Sequence, residues 1–447
     1  MRGSRRRGRA LTLPSILVDS RRLRLTLFTA AYVSQGVPIG LLTVALPAWL
    51  AEHGLSLAQI AWYQGIVGLP WGFKLIGGPL MDRFAFLAMG RRRPWILGAQ
   101  AGLTLALLSL VAVSDPLLQL NVVVALAFLV NACAALQDVA VDGMAIDVLP
   151  EDERGRANAF MAFGQVAGFS VFASICGILL HHSGLPAAAA VCALTVGGVF
   201  ALILFTRERS GERVLPWSRG AAAARTVPIA TRFADVFGGL GRVLFMPMSL
   251  VWLSTELIVR LRDGVGVAVF PVTATQTLGY SAEAYSNFSG VMGVGVAVAG
   301  LAVGPLVDRF GAKALYMVGI GGSALAAALF AATPSLWSST TYVVALATAS
   351  ALFGQALFVA FIAGAMTLCW SRVAASQFAI YMSLSNLFRS IGSWLFSKVA
   401  MRFDVSEQFW LMAAVLAAAC VVLWFFSEAH HTERLRGLDG PVLGEPA

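Results

Sequence analysis

Residues 93–113, 118–136, 186–205 and 406–427 each run for about 20 positions almost without a charge. A hydrocarbon core about 30 Å thick is crossed by about 20 apolar residues in helical form. Composition leaves such runs nowhere else to go: the chain is 58% hydrophobic and 12% charged. A water-soluble domain covers its surface with roughly 25% charged residues, about twice the supply here. The chain reads as a polytopic, all-α integral membrane protein.

Hydropathy along the chain gives twelve candidate spans, near 25–51, 57–82, 93–113, 118–142, 154–180, 186–206, 243–271, 282–307, 313–332, 339–369, 374–400 and 406–427. Several exceed the length a bilayer needs, which implies tilt or extension into the headgroups. Loop charge sets the orientation, because Lys and Arg collect on the cytoplasmic side. With a cytoplasmic N-terminus, 26 of the 32 basic residues fall in cytoplasmic segments, and only Lys398 and Arg402 lie opposite. Lys74, Arg260, Arg262 and Arg389 lie inside spans. Both termini are therefore expected in the cytoplasm. The net charge of +9 is then a topology signal and calls for no nucleic-acid partner.

The opening "MRGSRRRGR" looks like a signal-peptide start, but the apolar segment behind it is span-length and lacks a small-residue cleavage site. It reads as a retained tail. The expected layout is a basic tail over 1–24, a six-helix half over 25–206, a polar central loop over 207–242, a second six-helix half over 243–427, and a short disordered tail over 428–447. Cys133, Cys176, Cys192, Cys369 and Cys420 are scattered singly through apolar spans, with neither metal spacing nor a disulfide framework, so no metal is expected. The 29 Arg against 3 Lys point to a high-GC bacterium, and so to its inner membrane.

The central loop divides six spans from six, and one heptad recurs across it. "GPLMDRF" occupies 78–84 and "GPLVDRF" occupies 304–310, each in the cytoplasmic turn after the second span of its half. A duplicated six-helix half related by an axis along the membrane normal is the arrangement of major facilitator superfamily transporters. The heptad resembles that superfamily's loop signature, with the second copy, "GPLVDRFGAKA", the closer match. Gly78 and Gly304 allow close helix approach, while Asp82–Arg83 and Asp308–Arg309 can bridge neighbouring helix ends. Charged latches of this kind hold one state of a rocking transporter and release it in the other. These six residues are the candidate gates.

Ionisable residues within a span cost about 3 kcal/mol each and are functional candidates by default. In "WLSTELIVRLRDGVGVAVF", Glu256, Arg260 and Asp263 are spaced by four and three, so they share one helix face. That face can neutralise itself internally, which makes burial feasible. Arg262 points elsewhere and is expected to find a partner on another helix. In the fourth span, Asn131, Asp138 and Asp142 also share a face, and Asp138 lies deeper than Asp142 or Asp147. Lys74 sits eight residues before Asp82, roughly 12 Å deeper by helical rise. Arg389 is mid-span. Gln35, Gln64, Gln165 and Gln355 are uncharged polar residues at similar depth. No His falls inside a span, since His53, His181 and His182 sit at outer ends and His430 and His431 in the tail. Proton coupling would therefore fall to Asp or Glu.

Several longer stretches resemble one branch of the superfamily, the AmpG-type muropeptide permeases and related acetyl-coenzyme A transporters. They are "VGLPWGFKLIGGPLMDRF…GRRRPWILGAQ", "LQDVAVDGMAIDVLPEDERGRANA", "VRLRDGVGVAVFP" and "FVAFIAGAMTLCW…ASQFAIYMSLSNLFRS". The resemblance implies proton-driven import, in the AmpG-type case of anhydro-muropeptide from cell-wall turnover, by a protein that is normally a monomer. Two departures stand out. Met144-Ala145 replaces the branch's aromatic–basic pair after Asp142, and Val259 replaces the aromatic before Arg260. Both remove groups that could hold a sugar or an acidic peptide.

The expectation is a proton-coupled importer of a bulky, partly anionic small molecule, muropeptide-like first. A siderophore or natural-product permease, or an exporter, is the alternative. Lys74, Arg260, Gln35, Gln64, Asn131, Gln165 and Arg389 are the candidate substrate-binding residues. Asp138, Asp263, Glu256 and Asp142 are the candidates for proton coupling. No Gly-x-x-x-x-Gly-Lys-Ser/Thr motif occurs, so nucleotide hydrolysis is not expected to drive it; the resemblance implies a proton gradient as the energy source, and no cofactor is expected. An enzyme would want its reacting groups near an interface, whereas these charges lie at mid-depth, so the chain is not expected to be one.

Overall fold

The computed structural model describes residues 16–84, 86–220, 240–370 and 374–439. Among the described residues twelve long helices run back and forth. In chain order they are α1 (Arg21–Glu52), α2 (57–83), α3 (Arg93–Val111), α4 (Leu120–Val148), α5 (151–183), α6 (185–204), α7 (Pro247–Val272), α8 (Ala282–Phe310), α9 (Ala312–Ala332), α10 (Thr340–Thr367), α11 (Ala374–Ser397) and α12 (Val405–Trp424). Gly184, at φ 75°, turns α5 into α6 in a conformation that only glycine adopts cheaply. The loops that carry α1's start and α12's end define a terminal side; the opposite face is called the far side.

The two halves repeat local devices as well as topology. Ser56 caps α2 in a reciprocal box with Gln59, and Ser281 caps α8 by accepting from the Ala284 N–H. In α1, Pro38 is followed by a π-helical stretch, Gly40–Ala45; in α7, Pro271 is followed by another, Thr273–Thr277. Proline removes one helical hydrogen bond and the ladder widens by a residue to recover, so the first helix of each half leaves α-helical pairing on its far-side portion.

Inside lipid, helices associate through close packing of small residues rather than through the hydrophobic effect. Gly168 of α5 lies against the Val33 carbonyl of α1, and Gly392 of α11 against Leu261 of α7. A Cβ at either would overlap backbone. The same pairing, α1 with α5 and α7 with α11, braces each half.

Among the described residues the buried apolar side chains fall into three large groups and a small one around Val243, Met246 and Trp370. One is continuous across both halves and lies on the far side, joining Leu46, Ile60, Leu107 and Cys192 to Val269, Phe330 and Phe409. The other two large ones lie on the terminal side, one in each half: around Phe28, Ile96 and Met144, and around Trp252, Tyr316 and Leu416. The molecule is therefore zipped shut at the far side and parted at the terminal side. Polar contacts follow the same division. Gln276 of the second half donates to the Ala51 and Leu55 carbonyls at 2.7 and 2.8 Å, and Ser393 donates to the Ala61 carbonyl at 2.8 Å.

On the terminal side the basic run Arg91–Arg93 does structural work beyond setting topology. Glu208 accepts the backbone N–H groups of Arg91, Arg92 and Arg93 at 3.0, 2.8 and 2.6 Å, capping α3. The Arg93 guanidinium donates to the carbonyls of Ile203, Leu204, Arg213 and Val214, tying down the start of the central loop. The expected disordered tail is corrected over its first part. Residues Glu428–Asp439 form a helix, α13, whose Leu435 packs on Val243, Met246 and Trp370. His431 is buried there against the Leu368 carbonyl at 3.1 Å.

Candidate functional site

In the second half, the three-residue face of α7 forms as its spacing predicts. Arg260 Nε reaches Glu256 Oε1 at 2.6 Å and Arg260 Nη1 reaches Asp263 Oδ2 at 2.9 Å. Glu256 is fully buried and also accepts from the Tyr316 hydroxyl of α9 at 2.5 Å and the Ser385 hydroxyl of α11 at 2.7 Å. A carboxylate so deep is tolerated because three donors, one of them charged, converge on its two oxygens. Arg262 differs from expectation. Its partner is on its own helix, Asp263 Oδ1 at 3.2 Å, and its guanidinium lies over the Phe270 ring. Two carboxylates thus serve two arginines, and the set is neutral.

Arg389 stands outside that balance. It is half-buried on α11 beside Gly264 of α7, within electrostatic reach of Arg260 and Asp263. Among the described residues it makes no hydrogen bond or ion pair. The charges within the spans of this half therefore carry a surplus of one positive charge, on a residue free to take an anion.

The first half holds the opposite surplus. Lys74 is ion-paired with Asp138, and the Tyr32 hydroxyl of α1 donates to Asp142. Two carboxylates face one ammonium, an excess of one negative charge. The Lys74 side chain keeps about a quarter of its surface open and sits 5.1 Å over the Trp71 ring. Trp71 Nε1 donates to Asn131 Oδ1 at 2.7 Å, while Asn131 itself donates to the Ala127 carbonyl at 3.0 Å. The expected face of α4 thus meets α2 through Asn131 and Asp138, and α1 through Asp142.

The glutamines divide. Gln165 donates to Gln35 across α5 and α1 at 3.2 Å, whereas Gln64 bridges the halves by donating to the Thr43 and Val267 carbonyls at 3.0 and 3.3 Å. Gln64 is thus part of the far-side closure. The residues that departed from the branch pattern, Met144, Ala145 and Val259, are buried in the packing of their own halves. All three are nearly or fully shielded from solvent in this arrangement of the halves.

Of the candidate gates, the side chains of Gly78, Asp82 and Arg83 lie outside the described residues. Asp308 and Arg309 are exposed, Arg309 sits over the Phe310 ring, and no neighbour stands where a Cβ on Gly304 would project. Among the described residues Asp308 makes no ion pair. This agrees with a parted terminal side.

Sequence reasoning missed Tyr32, Trp71, Tyr316 and Ser385. A signal was available for the tyrosines: a phenol hydroxyl inside a bilayer needs a polar partner, and the chain has only seven tyrosines to sort.

A cavity of about 610 Å³ opens behind Arg262, between α7, α8, α9 and α10. Arg262 supplies its only charge; Phe270, Tyr285, Phe288, Phe330 and Phe409 form much of its wall.

The sequence model of the Major Facilitator Superfamily matches this chain twice, over residues 28–261 and 255–444. The chain is 28% identical over 366 residues to the anhydromuropeptide permease of Escherichia coli K12, an alignment covering 80% of this chain and 70% of the permease. It is 35% identical over 141 residues to an uncharacterized protein of Haemophilus influenzae, spanning about a third of each. Among solved structures, a POT family transporter in complex with 5-aminolevulinic acid superposes with a TM-score of 0.71 at 11% identity, over 93% of this chain and 99% of that one.

Proposed function

The chain belongs to the major facilitator superfamily of membrane transporters, and on that footing we propose that it is a proton-coupled symporter importing a bulky anionic metabolite of the muropeptide class. The observation that carries this reading is the split charge: a free arginine, Arg389, in one half and a surplus carboxylate, beside Lys74, in the other. An anion binds at Arg389, and a proton neutralises the Asp138–Asp142–Lys74 set. Loading both sites neutralises each half's cluster separately, where before loading a positive cluster in one half and a negative one in the other cancel only in sum. That is the condition under which two halves can close over a low-dielectric interior cheaply. Glu256, Arg260 and Asp263 hold the floor on which Arg389 stands. In this reading the terminal side is the cytoplasmic one, the parted side is the exit for imported cargo, and Asp308 and Arg309 are disengaged there; the positive-inside placement of the arginines supports it.

A second reading, import of a less polar natural-product anion, is favoured by the aromatic cavity behind Arg262. Accumulation of radiolabelled GlcNAc-anhydroMurNAc-peptide by cells lacking their own muropeptide permease separates the two. Uptake that needs this protein and collapses with an uncoupler supports the first. Absence of uptake, with protein shown to be in the membrane, excludes muropeptide.

A further inference from the structure

Three metal-capable side chains meet on the far side where the halves touch. His181 and His182 end α5 in the first half; Glu283 opens α8 in the second. One donor atom from each lies within 4.8 Å of the other two, and His182 Nε2 is 3.8 Å from Glu283 Oε2. Both histidines are exposed and Glu283 is partly exposed, so all three can rotate toward one point. Directly beneath, Gly177 of α5 packs on Ser286 of α8, and Gly290 of α8 on Ser170. The helix backbones that carry the donors are therefore held in register by the closed seam itself.

We propose that His181, His182 and Glu283 form a zinc-binding clamp across the seam between the halves, open to the far compartment. Two imidazoles and one carboxylate are a donor set that suits a four-coordinate divalent ion of the zinc type, with water in the fourth position. The bonds are about 2.0–2.2 Å long, so tetrahedral donors stand about 3.3 Å apart. Closing from the observed spacing to that one brings the donors together by at most about 1.5 Å per pair. Glu283 belongs to the other half, so the full set exists only while the far side is shut. A ligand shifts an equilibrium between two states by its difference in affinity for them. Zinc bound by three groups in one state and by two histidines in the other stabilises the far-closed state and slows the cycle. The binding needs no assumption about cargo; the slowing rests on the transporter reading above. Separation of about 100 residues hides the set from any search by sequence spacing.

The test titrates untagged, purified protein with Zn2+ against a fluorescent zinc chelator. One site per chain is expected, with affinity falling at least about tenfold in Glu283→Gln and in His182→Ala, the scale on which even outer partners of a metal count. Binding that is absent in the native protein, or unchanged in both variants, overturns the site. Binding lost in His182→Ala but kept in Glu283→Gln overturns the clamp, since the histidines then act alone. A second measurement follows the distance between spin labels on the far-side loops of the two halves, in a cysteine-free background. Zn2+ should collapse the distribution onto its short component in the native sequence and leave the Glu283→Gln distribution unmoved. Equal effects in both refute the clamp irrespective of cargo.

Discussion

Glu256→Leu removes the hub of the second half. Glu256 is fully buried and accepts from Arg260 at 2.6 Å, Tyr316 at 2.5 Å and Ser385 at 2.7 Å. Leucine fills the space but leaves two hydroxyls and one guanidinium nitrogen without an acceptor. Removing one partner of a buried ion pair costs about 3–5 kcal/mol, and each hydroxyl left unsatisfied adds about 1–3 kcal/mol unless it turns to another acceptor. A unit of this size loses roughly 2–4 °C of melting midpoint per kcal/mol, so the substitution should lower the midpoint by about 10 °C or more. The assay is thermal denaturation in detergent followed by size-exclusion chromatography. Glu256→Gln keeps an acceptor in place and should lose less than half as much. The double variant Glu256→Leu/Arg260→Met removes both charges and should recover about half of the loss, the part due to the ion pair, because replacing a whole buried pair by apolar groups is often neutral while the two hydroxyls stay without their acceptor. A single leucine variant that melts within about 2 °C of the native protein would refute the hub. A double variant no better than the single would show that hydroxyl satisfaction, not the ion pair, dominates.

Other outcomes can be stated more briefly. Arg389→Ala should raise the concentration needed for half-maximal uptake at least about tenfold, as loss of a charge-assisted contact of about 1.5–3 kcal/mol requires, and Arg389→Lys should restore part of it; an unchanged value places the anion elsewhere. Asp138→Asn should abolish uphill accumulation while leaving exchange of cargo across the membrane, read by counterflow; accumulation that persists rules out Asp138 as the coupling group. Gly290→Val drives a side chain into the Ser170 carbonyl at the far-side seam, with an overpacking cost of about 1–3 kcal/mol, so far-side labels should become more separated and accessible. His431 has its protonation held below the ordinary histidine range, first by burial. The unfolded chain therefore takes up its proton first as pH falls below about 6.5, and the native midpoint should drop relative to His431→Gln in that range but not above it.

Much of the architecture was legible because lipid restricts the options so strongly. Apolar runs of about 20 residues and the placement of arginines predict twelve spans, and the repeated GPL(M/V)DRF heptad predicts two related halves. The α7 face was legible for the same kind of reason, since spacings of four and three put Glu256, Arg260 and Asp263 within reach of one another on any helix. Contacts within one helix follow from periodicity alone.

What the linear order left open are matters of encounter between helices. That Tyr316 and Ser385 converge on Glu256, that Lys74 pairs with Asp138 while Asp142 goes to Tyr32, and that Arg389 is left without a partner depend on how separate helices are rotated and staggered. The open side depends on the same thing: an apolar core continuous across the halves at one end and divided at the other is a property of packing, and the same sequence must support both arrangements during transport. Hydropathy and charge thus determined that this chain crosses the membrane as two similar halves. Only the tertiary structure decided which buried charges neutralise one another and which remains free, because pairing inside a low-dielectric interior is set by distances of a few ångströms between residues on separate helices, far apart in the chain.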